Sequence, residues 1–195
     1  MSLEMDVFCL LLLIRILYQM YINRVQNDHW NYFYYTIAWA CVYLFMDAIW
    51  IMNVKHFLTF SKIQSGIFNS FYFCSLAMLV CSWYVYVQKT LHSAVLKHKK
   101  ILVLTFIPLI FFIGSSLLSY WTHGLFVIDQ AGNYHRGKLL PFYFLILFAY
   151  ILYLSIKAGY LSKKAKNYLY QKEYKGIVRI SFLPFISALS QITVD

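Results

Sequence analysis

The chain is short of charge. Of its 195 residues only 12% are Asp, Glu, Lys or Arg, and seven are acidic. A soluble domain carries about twice that share. So few solvating groups cannot cover a soluble surface at this length, which excludes a soluble enzyme, a soluble nucleic-acid binder and a disordered linker. No C-x-x-C pair occurs among the four cysteines Cys9, Cys41, Cys74 and Cys81, and all four fall in apolar stretches. They read as buried thiols rather than a disulfide framework or a zinc site. No H-E-x-x-H, G-x-S-x-G or phosphate-binding glycine loop is present, and the six histidines lie in or near loops, where no pair can ligate a haem between helices. No catalytic residue, metal site or cofactor is therefore expected. Fixed-period repeats and low-complexity tracts are missing as well.

What the chain has instead is apolar length: 62% hydrophobic residues, 21% aromatic, and a mean hydropathy of +0.62. A membrane-crossing helix needs about 20 mostly apolar residues. Residues 5–22, 33–52, 67–87, 101–120 and 139–156 meet this, and a sixth run covers 177–194. The expected fold is an all-α polytopic membrane helix bundle filling residues 1–195 as one unit, with the bilayer as its first partner. The first run is a retained helix, because Glu4 and Asp6 stand where a signal peptide would be basic.

The net charge of +10 sets orientation rather than nucleic-acid affinity. Loops after runs one, three and five, with Lys89, Lys97, Lys99, Lys100, Lys157, Lys163 and Lys164 among their residues, hold twelve bases. The opposite loops hold four, Lys55, Lys62, Arg136 and Lys138. By the positive-inside rule the first face is cytoplasmic and the N-terminus is outside. Six spans then leave Asp195 outside at the very end of a helix. A fragment lacking a seventh helix is expected; the alternative is a complete six-helix protein with a short external end. The basic, Tyr-rich stretch 157–176 reads either as an amphipathic interfacial helix or as a solvated loop.

Two ionisable residues fall deep within runs, Arg15 and Asp47, each costing at least about 2.5 kcal/mol near a helix centre. They either pair or separate, Arg15 snorkelling inward and Asp47 reaching the outer water. Trp39, Tyr43, Asp47 and Trp50 recur at helical spacing and form one stripe. A carboxylate among aromatic rings suits a small cationic or polar ligand, with Asn69 and Tyr72 of the next helix as partners, although aromatic packing alone explains such a stripe equally. Between runs four and five, Leu125–Ile128 and Asn133–Arg136 read as strands around a turn at Asp129–Gly132, closed by Gly137. Such a hairpin needs to pack on the helix ends to be stable. Pro108 and Pro184 are expected to kink their helices, with Gln191 and Gly114-Ser115-Ser116 satisfying freed groups or easing close packing.

Together Asp47-Ala-Ile-Trp50, Asn69 with Tyr72, Trp83-Tyr84, the segment Phe126-Val-Ile-Asp129-Gln-Ala-Gly132-Asn-Tyr134-His-Arg136-Gly137, and Pro184 with Gln191 resemble the seven-helix membrane input regions of bacterial signalling proteins. Firmicutes-type GGDEF diguanylate cyclases and some sensor kinases carry such regions. The resemblance spans essentially the whole chain through short motifs, and departs from the full pattern in lacking a seventh helix and any GG-[DE]-EF signature. It implies a multi-pass sensor in the bacterial cytoplasmic membrane, a cytoplasmic cyclase output outside these residues, and a homodimer, since cyclase outputs work in pairs. A small six-helix transporter or substrate-binding membrane subunit is the alternative, and a membrane-embedded peptide-processing enzyme a distant third.

Overall fold

A computed structural model describes residues 3–22, 28–55, 57, 58, 60–93, 96, 98–130 and 134–192, with backbone alone at 28–30, 54, 99 and 182–192. It contains α1 (Leu3–Ile22), α2 (Asp28–Val54), α3 (Lys62–Thr90), α4 (Lys99–Thr122), β1 (Phe126–Ile128), β2 (Tyr134–Arg136), α5 (Leu140–Lys164) and α6 (Tyr168–Ile192). The described residues are thus all-helical apart from one small antiparallel sheet and the connecting turns. Five helices, α1 to α5, are long and apolar enough to cross a membrane. The expected sixth span, 177–194, begins within α6, which is not among these five, and ends outside the described residues.

Local chemistry sets the helix ends. Glu4 and Asp6 occupy the first turn of α1, where negative charge suits the helix dipole. α3 opens on a capping box: the Gln64 N–H donates to Ser61 Oγ at 3.4 Å, and the Ser61 N–H donates to Gln64 Oε1 at 3.0 Å. α4 stops where His123 turns left-handed at φ 55°, its N–H donating to the Ser119 carbonyl at 2.8 Å. Pro141 sits in the first turn of α5, where its missing N–H costs nothing.

α3 is the central helix. It packs against α2, α4 and α5, while α1 lies on α2 and α6 on α5. At the start of α3, Gly66 lets the Tyr120 ring of α4 occupy the space of a side chain. That close approach comes from Gly66 rather than from Gly114, which has open space around it. Pro108 lies inside α4, and one turn before it the Thr105 carbonyl accepts the Tyr150 hydroxyl of α5. The side chains of Pro184 and Gln191 lie outside the described residues.

Two apolar clusters fill the bundle. One, around Phe73, Leu109, Phe112, Phe126 and Tyr143, sits at the end that carries the hairpin. The other, around Trp83, Tyr84, Leu154, Tyr174 and Ile177, sits at the lysine-rich end. The stretch 157–176 is neither a loop nor a single surface helix. Ala158 and Ser162 prolong the buried stripe of Ile151 and Leu154, so α5 continues to Lys164 and α6 resumes at Tyr168.

The hairpin pairs Phe126 with Arg136, Val127 with His135 and Ile128 with Tyr134. Its tip, including Gly132, lies outside the described residues. Ser119, in the last turn of α4, anchors it: Ser119 Oγ accepts the N–H groups of Leu125 at 2.8 Å and Phe126 at 3.1 Å. Leu125, Phe126 and Ile128 are buried against the bundle, which gives the two short strands the support they lack alone. Gly137 closes the motif, its N–H donating to the Leu125 carbonyl at 2.9 Å.

Candidate functional site

The site is built at the hairpin end, from three helices and one strand. Asp47 lies in the last two turns of α2 and is 5% exposed. Tyr43 stands one turn before it and Trp50 one turn after it, on the same helical stripe. α3 sets Tyr72 opposite: the Tyr43 and Tyr72 hydroxyls share a hydrogen bond at 3.2 Å, and their ring centroids are 5.3 Å apart. The Tyr72 hydroxyl also faces the Asp47 carboxylate. Trp50 stacks over Tyr72 at 6.5 Å, and Tyr134 of β2 meets Trp50 edge-on at 6.0 Å. The hairpin thereby closes the aromatic wall from above. Burial pushes the Tyr134 hydroxyl up to about 12, against the opposing pull of Arg136, so it remains a neutral donor at physiological pH.

α1 supplies the residue that completes the site. Asp6 is fully buried, and neither of its carboxylate oxygens has a hydrogen-bond partner. It lies within electrostatic reach of both Asp47 and Tyr43. The sequence stripe pointed to Asp47 and missed Asp6. The available signal was an acid inside the first apolar run, but acids are ordinary in a first helical turn.

Arg15 and Asp47 do not pair. Arg15 is exposed, and it lies nine residues beyond Asp6, about 13 Å along the axis from the level of Asp47. Of the other stripe residues, Trp39 is half-buried two turns further from the hairpin. Asn69 is buried one turn from Tyr72, but its amide donates to the Ser65 carbonyl of its own helix at 2.8 Å, and its Oδ1 has no partner. The structure thus brings together Tyr43, Asp47, Trp50, Tyr72 and Tyr134, adds Asp6, and leaves Trp39 outside. In the hairpin, His135 Nε2 approaches Asp129 Oδ2 at 3.4 Å on the exposed rim, while Phe126 belongs to the core.

A second polar cluster occupies the lysine-rich end. Lys157 of α5 donates to Gln88 Oε1 of α3 and to Ser93 Oγ beyond it, both at 2.6 Å, with its ammonium 5.7 Å from the Tyr153 ring. Gln88 is fully buried, so Lys157 serves the carbonyl end of a side chain that has no access to water.

Among the described residues no group of three or more His, Cys, Asp or Glu is placed to hold a metal ion. No family model, curated protein or solved structure matches the chain. The chemistry of the site is therefore read from its own geometry: two buried acids and four aromatic rings, with Arg136 acting on Tyr134 at the hairpin side. Such an arrangement attracts positive charge and holds it away from water.

Proposed function

We propose that the chain is the membrane-embedded sensory region of a signalling protein, with the hairpin and the N-terminus outside the cell and the lysine-rich end at the cytoplasm. The observation that carries this reading is the burial of two acids, Asp6 and Asp47, within electrostatic reach of each other beside the Tyr43–Tyr72 pair. Acids inside a bundle are costly, and they mark sites of ligand or proton exchange. A ligand that prefers one arrangement of α1, α2 and α3 shifts the population toward it. α3 carries that change: Tyr72 lies in the site, and sixteen residues on, about 24 Å away, Gln88 bonds Lys157 of α5. α5 in turn packs on α6, the last element of the chain. The resemblance to bacterial input regions adds a bacterial cytoplasmic membrane, a homodimer and a cyclase output beyond these residues.

The test is hydrogen exchange on the full chain in lipid nanodiscs, comparing it with Asp47→Asn. Sensing predicts that exchange across residues 157–176 changes by at least about threefold, although this segment packs in the other apolar cluster, at the lysine-rich end. Changes confined to α1, α2 and the hairpin would refute transmission. Uptake of a bound solute into sealed vesicles would instead identify a transporter.

A further inference from the structure

The acid pair specifies the kind of ligand. Asp6 offers two carboxylate oxygens, both buried and both lacking a donor. An ionised carboxylate accepts hydrogen bonds and donates none, so its partner must bring N–H or O–H groups as well as positive charge. Asp47 faces the Tyr72 hydroxyl, and that hydroxyl is shared with Tyr43, so Asp47 too retains acceptor capacity. A divalent metal is a poor fit to this donor set. Calcium and magnesium take about six or more oxygens, and among the described residues no third His, Cys, Asp or Glu joins these two acids. A quaternary ammonium would enjoy the rings of Trp50, Tyr72 and Tyr134 but would leave the Asp6 oxygens without donors. A primary ammonium answers both demands: three N–H donors for the carboxylates, and a short apolar stem to lie against the rings.

We propose that Asp6 and Asp47 together bind a small primary ammonium ion at the hairpin end of the bundle, with Tyr43, Trp50, Tyr72 and Tyr134 forming its aromatic wall. The proposal rests on the ligand-site reading above and narrows it to one ligand class. Asp6 is the anchor, because neither of its oxygens accepts a hydrogen bond. Asp47 shares the charge, and the Tyr43–Tyr72 hydrogen bond fixes the wall. The competing occupant is the α-amino group of the chain itself, five residues before Asp6 in the sequence.

Calorimetric titration of the full chain in phosphatidylcholine nanodiscs tests this with n-butylammonium, tetramethylammonium and Mg²⁺ as probes. The expected result is saturable n-butylammonium binding, at least about tenfold tighter than that of either other cation, and weakened at least about tenfold by Asp6→Asn. The comparison of cations needs only the unmodified protein, so it holds even where the variant fails to fold. N-terminal acetylation should leave n-butylammonium binding intact or tighter. No saturable binding, or equal affinity for n-butylammonium and tetramethylammonium, overturns the proposal. So does binding that emerges only after acetylation, since the site is then filled from within. The hydrogen-exchange response to Asp47→Asn needs no ligand, so a failure of the ammonium assignment and a failure of the sensory reading are told apart.

Discussion

Replacing Lys157 by methionine removes the ammonium that ties Gln88 and Ser93 to α5. Methionine keeps the length and apolar stem of the side chain and loses the ammonium, so Gln88 Oε1 and Ser93 Oγ each lose a donor now at 2.6 Å. Hydrogen bonds to a charged group contribute about 1.5–3 kcal/mol each, whereas neutral interhelical bonds within membranes average about 0.6 kcal/mol. Gln88 is fully buried and pays the larger figure, while Ser93 is half-buried at the helix end and pays the smaller. The sum is a loss of about 2–4 kcal/mol. At the usual scaling for a chain of this size, each kcal/mol lowers Tm by about 2–4 °C, so a drop of roughly 4–16 °C is expected. Tryptophan fluorescence during thermal unfolding in detergent reads it directly. A second substitution, Gln88→Leu, removes the stranded acceptor, and in the Lys157→Met background it should recover about 1–2 kcal/mol. A Lys157→Met variant within about 1 °C of the parent, or a double variant that is strictly additive, would refute the claim that this ammonium serves a buried acceptor.

Two further substitutions probe the hairpin. Gly137→Ala places a β-carbon over the Gly124 carbonyl oxygen and 2.5 Å from the Leu125 carbonyl carbon, so the backbone must part. The expected cost is about 1–3 kcal/mol, seen as faster hydrogen exchange at Leu125 and Gly137, and unchanged exchange there would contradict the close approach. Tyr134 gives a pH signature. Its hydroxyl is held at about 12 by burial, above the value of about 10 in an unfolded chain, so between those values the unfolded state releases a proton that the folded state keeps. Stability conferred by neutral Tyr134 is complete below pH 10 and falls as pH rises toward 12. Tyr134→Phe should flatten that fall, and equal slopes in the two proteins would show that the ring is not buried.

The helices were legible because each needs only an apolar run, and α1 to α4 extend past the runs at most by about a turn or so at either end. The site was half legible for a similar reason. Tyr43, Asp47 and Trp50 share one helix, and spacings of four and three place them on one face. Asn69 follows the same logic in sequence, yet its amide turns back to Ser65, a choice that spacing does not encode. Asp6 depended on the register of α1 against α2, a tertiary property, and its place in a first turn disguised it. Lys157 was hidden by a boundary. Taken as the first loop charge after a span ending at residue 156, it counts toward topology, whereas the continuation of α5 to Lys164 turns it inward onto Gln88. The strands of the hairpin were readable from the turn at Asp129–Gly132 between them, but Ser119, the residue that moors them, looks like any small residue in an apolar helix.

α1 has one fully buried side chain, Asp6; Cys9, Leu10, Leu13, Leu17 and Met20 are half-buried, while Leu11, Leu12, Ile14 and Tyr18 face outward. Its apolar contacts are therefore shallow, and its deepest side chain is a carboxylate. Greasy residues facing lipid are indifferent to sliding, since one leucine replaces another as the helix moves along its axis. A carboxylate is not interchangeable in this way. A shift of one turn, about 5.4 Å, would exchange the acid for the thiol of Cys9 or the methyls of Leu10 and erase its interaction with Asp47. The axial setting of α1 is thus indexed by a single charge, like a slide rule with one engraved mark. Whatever neutralises that charge decides where the first helix stands.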